Sequence, residues 1–186
     1  VTDFFGKFVE AGAKAVASPN KLLQILPDQW RWMRVESDAS PRIEGAPVPE
    51  AQDIGIQNGW HQADFDDSKW QTVATWSKTL DAQEILDKPG VMWYRTKIKI
   101  SEKHGELALF FSEIDGIAGV YINGRKMYEQ AVRRVPFTVG MTGAVQPGDN
   151  AIVVRVNHAV VTDLCLGGIL RPILLIEKPA EADIPP

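Results

Sequence analysis

From residue 28 onward the chain alternates apolar and polar side chains with a period of two, and that rhythm constrains the fold more than any other feature. In MWYRTKIKI (92–100), Met92, Tyr94, Thr96, Ile98 and Ile100 point one way, and Trp93, Arg95, Lys97 and Lys99 point the other. This is the pattern of a half-buried strand, with one face on a core and one in water. ELALFFSE (106–113) is apolar on both faces and belongs in the middle of a sheet. GVYINGRKMYEQ (119–130) reads as two strands joined at Asn123-Gly124, a dipeptide suited to the positive φ angles of a tight hairpin. QWRWMRV (29–35), the end of DFDDSKWQTV (64–73), RVPFTVG (134–140), NAIVVRVN (150–157) and LRPILLIEK (170–178) supply further strands, and QPGDN (146–150) supplies a turn. Short strands between turns, with almost no helical period after residue 27, imply an all-β sandwich or barrel.

The ends read differently. In residues 1–26, Phe4, Phe5, Phe8, Val9, Ala15 and Val16 fall near one side of a helix, with Lys7, Glu10 and Lys14 on the other. This amphipathic leader is expected to pack on the domain's own flank or on a neighbour. Its polar face carries both charge signs, unlike a lipid-binding helix. Residues 37–59, rich in Pro, Gly and acids, read as a long irregular loop. Residues 27–178 form the expected sandwich, and 179–186 (PAEADIPP) a tail or linker. The 186 residues suffice for a core without disulfide or metal support. A net charge of −4 argues against a general nucleic-acid binder, and no apolar run approaches the roughly 18 residues of a membrane span. The single cysteine, Cys165, reads as a small buried hydrophobe. A chain opening on Val1 rather than Met is expected to be processed or excised.

In order along the chain stand DQWRWMR, GWHQADFDDSKW, MWYRTKIKI, DGIAGVYINGRKM, VPFTV, a Pro-Gly-Asp-Asn turn into AIVVRVN, and GGILRPILLIEKP. Together, over about residues 28–178, these resemble the galactose-binding-like jelly-roll domain at the front of family 2 glycoside hydrolases, the β-galactosidase and β-glucuronidase type. The resemblance implies a jelly-roll β-sandwich and a sugar-related role, with an extracellular or periplasmic location as the accompanying expectation. In such enzymes the catalytic carboxylates come from a separate barrel. The loop corresponding to 157–166 reaches toward that barrel's active site, where an Asn or Asp can contact substrate; Asn157 and Asp163 fall in this stretch.

The residues themselves point to binding more than to catalysis. Glycoside hydrolysis needs two carboxylates about 5–10 Å apart across a sugar bond, and Glu113 beside Asp115 is the nearest approach to such a pair. The three histidines, His61, His104 and His158, lack metal-ligand spacing. No cofactor is expected. The acids of DFDDS could hold a structural calcium ion, or serve equally well as turn caps. Sugars are held by aromatic faces and planar hydrogen-bonding groups, so the candidate ligand-binding residues are Trp60, His61, Trp76, Arg133, Arg134, Asn157, His158 and Asp163. Trp30, Trp32 and Trp70 read as core. The expected function is a non-catalytic carbohydrate-binding or accessory domain, with carbohydrate and a neighbouring catalytic domain as partners. The alternative is a structural module that braces a catalytic neighbour without binding sugar.

Overall fold

The computed structural model describes residues 12–14, 19–36, 52–85, 88, 90–129, 134–158 and 167–179. The strands form two facing antiparallel sheets and a small ladder. The six-stranded sheet has the order β3 (Gln71–Ala74), β2 (Gln29–Glu36), β4 (Gly90–Ile100), β10 (Gly148–His158), β7 (Ile117–Ile122), β8 (Arg125–Glu129). The four-stranded sheet runs β1 (Lys21–Ile25), β12 (Ile173–Glu177), β5 (Leu107–Phe111), β9 (Phe137–Gly140). β6 (Ile114–Asp115) and β11 (Gly168–Ile169) pair on their own. β4 and β10, the two long central strands, pair from Gly90↔His158 to Ile100↔Gly148.

The core lies between the sheets, where Met92, Tyr94, Ile98, Val120, Ile152 and Val154 meet Leu109, Phe111, Val139 and Leu175. The sandwich expected from the period of two is therefore the fold. The Asn123-Gly124 turn joins β7 to β8 as expected, and Trp30, Trp32 and Trp70 are all buried.

Three expectations change. Lys21–Ile25, read as the end of the helical leader, is a strand whose partners run from Lys21↔Glu177 to Ile25↔Leu174. The stretch read as irregular loop contains a helical turn, α1 (Ile54–Gln57), capped by the Asp53 carboxylate, which accepts from Gly55 N–H at 2.8 Å. And β4 is not half-buried at its start: Trp93 and Arg95 are 0% and 2% exposed. The cause is the segment 53–70, which folds over the second face of the six-stranded sheet and packs Ile56, Trp60, Phe65 and Trp70 against Val91, Trp93, Tyr121 and Val153. Alternation assigns each residue a face, but does not say whether that face meets water. Residues 1–11 and 15–18 of the leader, Arg133, the stretch with Asp163 and Cys165, and the tail beyond residue 179 lie outside the described residues. Among the described residues, no helix is long and apolar enough to cross a membrane.

Candidate functional site

The site begins with Asp28, the residue before β2. Its carboxylate accepts the backbone N–H groups of Thr75 (3.1 Å), Trp76 (2.9 Å) and Ser77 (3.1 Å), and also bonds the Ser77 hydroxyl. A carboxylate that accepts several N–H groups fixes a turn firmly. Burial alone would raise the Asp28 pKa, but the Ser77 hydroxyl and the three amides together hold it below the ordinary value. Gln83, in the 3₁₀ turn Asp81–Gln83, ties the far side of the same loop: its amide accepts from Ala74 N–H at 2.7 Å and donates to Ala74 C=O at 2.9 Å. Residues 74–83 are thus a rigid lip presenting Trp76 and Lys78.

Opposite this lip stand Gly167, Ile169 and the Glu113–Arg171 ion pair (3.4 Å), with Tyr94 also lining the space; together they bound a cleft of about 220 Å³. Trp76 is on this lining; its indole Nε1 is itself buried, without a hydrogen-bond partner among the described residues.

Behind Gly167 sits Asp115, 1% exposed. It accepts from Arg134 Nη2 and from Gly167 N–H, each at 3.1 Å, and so joins three distant stretches of chain at the cleft wall. Burial would raise the Asp115 pKa; the Arg134 guanidinium, the Gly167 amide and the nearby His158 outweigh it and hold the carboxyl below its ordinary value of 3.8. A carboxylate with a depressed folded pKa contributes stability that is complete above the unfolded value and is lost as pH falls through the folded one. Urea midpoints measured from pH 6 down to pH 2 are therefore expected to fall below about pH 4. In Asp115→Asn they should start lower and fall less steeply, and an acid limb identical to that of the parent chain would contradict the pairing.

Over residues 23–179 the sequence matches the family described as glycosyl hydrolases family 2, sugar binding domain. The chain belongs to this family. A putative β-glucuronidase of Formosa agariphila is 27% identical in an alignment 135 residues long that covers 63% of this chain and 16% of that protein. Among solved structures, the β-glucuronidase of an uncultured Clostridium superposes with a TM-score of 0.61 at 20% identity, over 84% of this chain and 29% of the other. For Bacteroides uniformis β-glucuronidase the TM-score is 0.61 at 22% identity, over 82% of this chain and 17% of the other. The Ruminococcus gnavus β-glucuronidase, solved with uronic isofagomine, gives 0.62 at 17% identity, over 87% and 29%. At these identities the likeness shows the fold, and the chain spans less than a third of each of these proteins.

This family 2 sugar-binding domain does not gather the sequence-derived candidates into one place. Trp76, Arg134 and His158 lie around Gly167: Trp76 lines the cleft, Arg134 is tied through Asp115, and His158 is packed so close that a Cβ on Gly167 would stand 3.3 Å from its Nε2. His158 is 0% exposed at the end of β10 rather than in a loop. Asn157 is likewise on β10, buried, and pairs with Val91 on the sheet's other face. Trp60 and His61 belong to the segment over that other face. The Trp60 ring stands edge-on to Trp70 (5.1 Å) and Trp93 (5.9 Å), and His61 lies 5.3 Å from the Tyr121 ring. The half-buried Trp60 indole is thus engaged with the aromatic cluster of the covering segment. Arg133 and Asp163 lie outside the described residues.

Residues not singled out from the sequence carry much of the local order. Arg95 and Arg155, both 2% exposed, hold the covering segment: Arg155 pairs with Asp53, and Arg95 pairs with Asp67 at 2.9 Å and donates to the carbonyls of Trp60 and Phe65. Asp67, one of the DFDDS acids, thus faces Arg95, and Asp66 accepts from Ser68 N–H at 3.0 Å, the turn-cap role of such acids. Among the described residues no three His, Cys, Asp or Glu side chains converge as a metal-binding group.

Proposed function

We propose that this chain is a non-catalytic carbohydrate-binding domain of a family 2 glycoside hydrolase-like protein, working beside a catalytic neighbour. The observation that carries the reading is the cleft itself, lined by the half-buried Trp76 together with Lys78 and the Glu113–Arg171 pair. The indole offers an apolar face to a sugar ring, and the charged groups on the rim hydrogen-bond its hydroxyls. At about 220 Å³ the cleft is smaller than the roughly 300–1,000 Å³ of drug-sized sites, and fits one small ring or chain end.

The non-catalytic part of the reading rests on the state of the carboxylates. A glycosidase needs one carboxyl kept protonated as the acid and a second free to attack or to activate water. Asp115 is held ionised by Arg134 and Gly167, and Glu113 faces Arg171.

Calorimetric titration of the chain with neutral hexoses, glucuronic acid, β-glucuronides and plant polysaccharides tests the proposal. Binding should weaken at least tenfold in Trp76→Ala, about 1.4 kcal/mol, with the unfolding midpoint essentially unchanged. The second reading, a brace that holds no sugar, draws support from the engagement of Trp60 inside the domain. A flat titration across the whole panel by a well-folded sample would replace the first reading with it.

A further inference from the structure

Toward the opposite end of the β4–β10 pair from the Trp76 cleft, the surface opens into a recess of about 340 Å³. Gly167 of the cleft packs on His158 at one end of β10, whereas Asp149 and Ala151 near the other end line the recess, with Lys97 of β4 across from Ala151. Ala63 of the covering segment, Asn123 of the hairpin turn and the loop 143–146 close around it. Its floor is fixed. Asn123, held at φ +49° in the turn, donates to Ala144 C=O (2.8 Å) and Asn150 Oδ1 (2.7 Å), and accepts from Ala151 N–H (2.9 Å). Asn150 is 0% exposed; it also accepts from Gln146 N–H and donates to the carbonyls of Gln146 and Gly148. Both amides bond through oxygen and nitrogen alike, and such a satisfied network makes the loop rigid.

The rim is left unspent. Lys97, Gln146 and Asp149 are exposed, and among the described residues no hydrogen bond or ion pair engages their side chains. Lys97 only donates, Asp149 only accepts, and Gln146 does both. The formal charges of Lys97 and Asp149 cancel, so an ion gains little net attraction here. A hydroxyl both donates and accepts, so neighbouring hydroxyls suit a rim that mixes the two. The volume falls within the roughly 300–1,000 Å³ of small-molecule sites.

We propose that this recess is a second binding site, for a neutral polyhydroxylated ligand the size of one sugar ring, held by Lys97, Gln146 and Asp149. The rigid loop spares the cost of ordering on binding. None of the lining residues is aromatic, so the affinity is weak, about millimolar. The site is separate from the Trp76 cleft and does not need it.

Amide NMR of the full chain, titrated with the methyl glycosides of glucose, galactose, mannose and xylose and separately with sodium sulfate, tests the proposal. At least one glycoside should give saturable shifts at Gly143, Ala144, Gln146 and Ala151, and Trp76→Ala should keep them. Asp149→Ala and Lys97→Ala should each weaken this response at least about fivefold, while Lys103→Ala, an exposed lysine outside the recess, leaves it unchanged. Both rim residues are exposed, so the unfolding midpoints of these variants should stay within about 2 °C of the parent. Absence of saturable shifts at these amides with all four glycosides would overturn the proposal, even where the Trp76 lip responds. So would a response undiminished in Asp149→Ala, or loss of the response in Trp76→Ala. Sulfate binding there more tightly than any glycoside would make the recess an anion site and overturn it as well.

Discussion

Arg155→Ala is expected to destabilise the domain by about 3–5 kcal/mol, because it leaves a buried carboxylate without its cation. Arg155 and Asp53 are both essentially inaccessible, separated by 102 residues in sequence, and their charges meet beneath the segment 53–70. Asp53 also caps α1 and lies 3.3 Å from the Trp93 indole Nε1, so the loss spreads to the cap and to the aromatic cluster. Truncating one ion is a different matter from removing both. Replacing a buried pair with apolar groups of similar volume is often neutral, so the double variant Asp53→Leu with Arg155→Met should recover much of the loss. Urea unfolding of the two singles and the double gives the comparison. A single Arg155→Ala with a loss under about 1 kcal/mol would mean that the segment is held by its aromatic residues and not by this pair.

The second large effect is expected at Gly168. Its φ is +82°, and a Cβ there would lie 2.0 Å from Tyr94 Oη and 3.0 Å from Tyr94 Cζ. Tyr94 cannot move aside easily, being 1% exposed within the core. Gly168→Ala therefore combines the cost of a left-handed backbone with a steric conflict, and a loss of about 3 kcal/mol or more is expected. Gly148 is the internal control. It has a similar φ of +91° with no atom near its Cβ position, so Gly148→Ala should cost only about 1 kcal/mol. Adding Tyr94→Phe to Gly168→Ala should return part of the difference. Equal losses at the two glycines would show that backbone strain, not the Tyr94 contact, governs the position.

The parts of this molecule that were legible in the sequence are those decided within a few residues. The period of two located the strands, and Asn123-Gly124 the hairpin. What escaped depends on residues far apart. The pattern places Arg95 on a water-facing side and says nothing particular of Arg155, because nothing in their own strands announces Asp67 and Asp53, which arrive from the segment folded over them. Asp28 went unremarked because its acceptor role is defined by amides 47 to 49 residues later. Trp60 is a candidate for sugar contact or for edge packing in sequence, because an indole beside a loop suits either use. Its contacts with Trp70 and Trp93 are visible only in three dimensions.

The pairing of β1 with β12 has a mechanical consequence. Lys21, where the chain enters the sandwich, stands opposite Glu177, where it leaves, and their side chains are joined at 3.2 Å. Tension applied through both flanks would therefore load the hydrogen bonds of this edge one after another, as in peeling, rather than all at once in shear. The sandwich therefore resists such a pull weakly, because its first and last strands meet side by side at one edge.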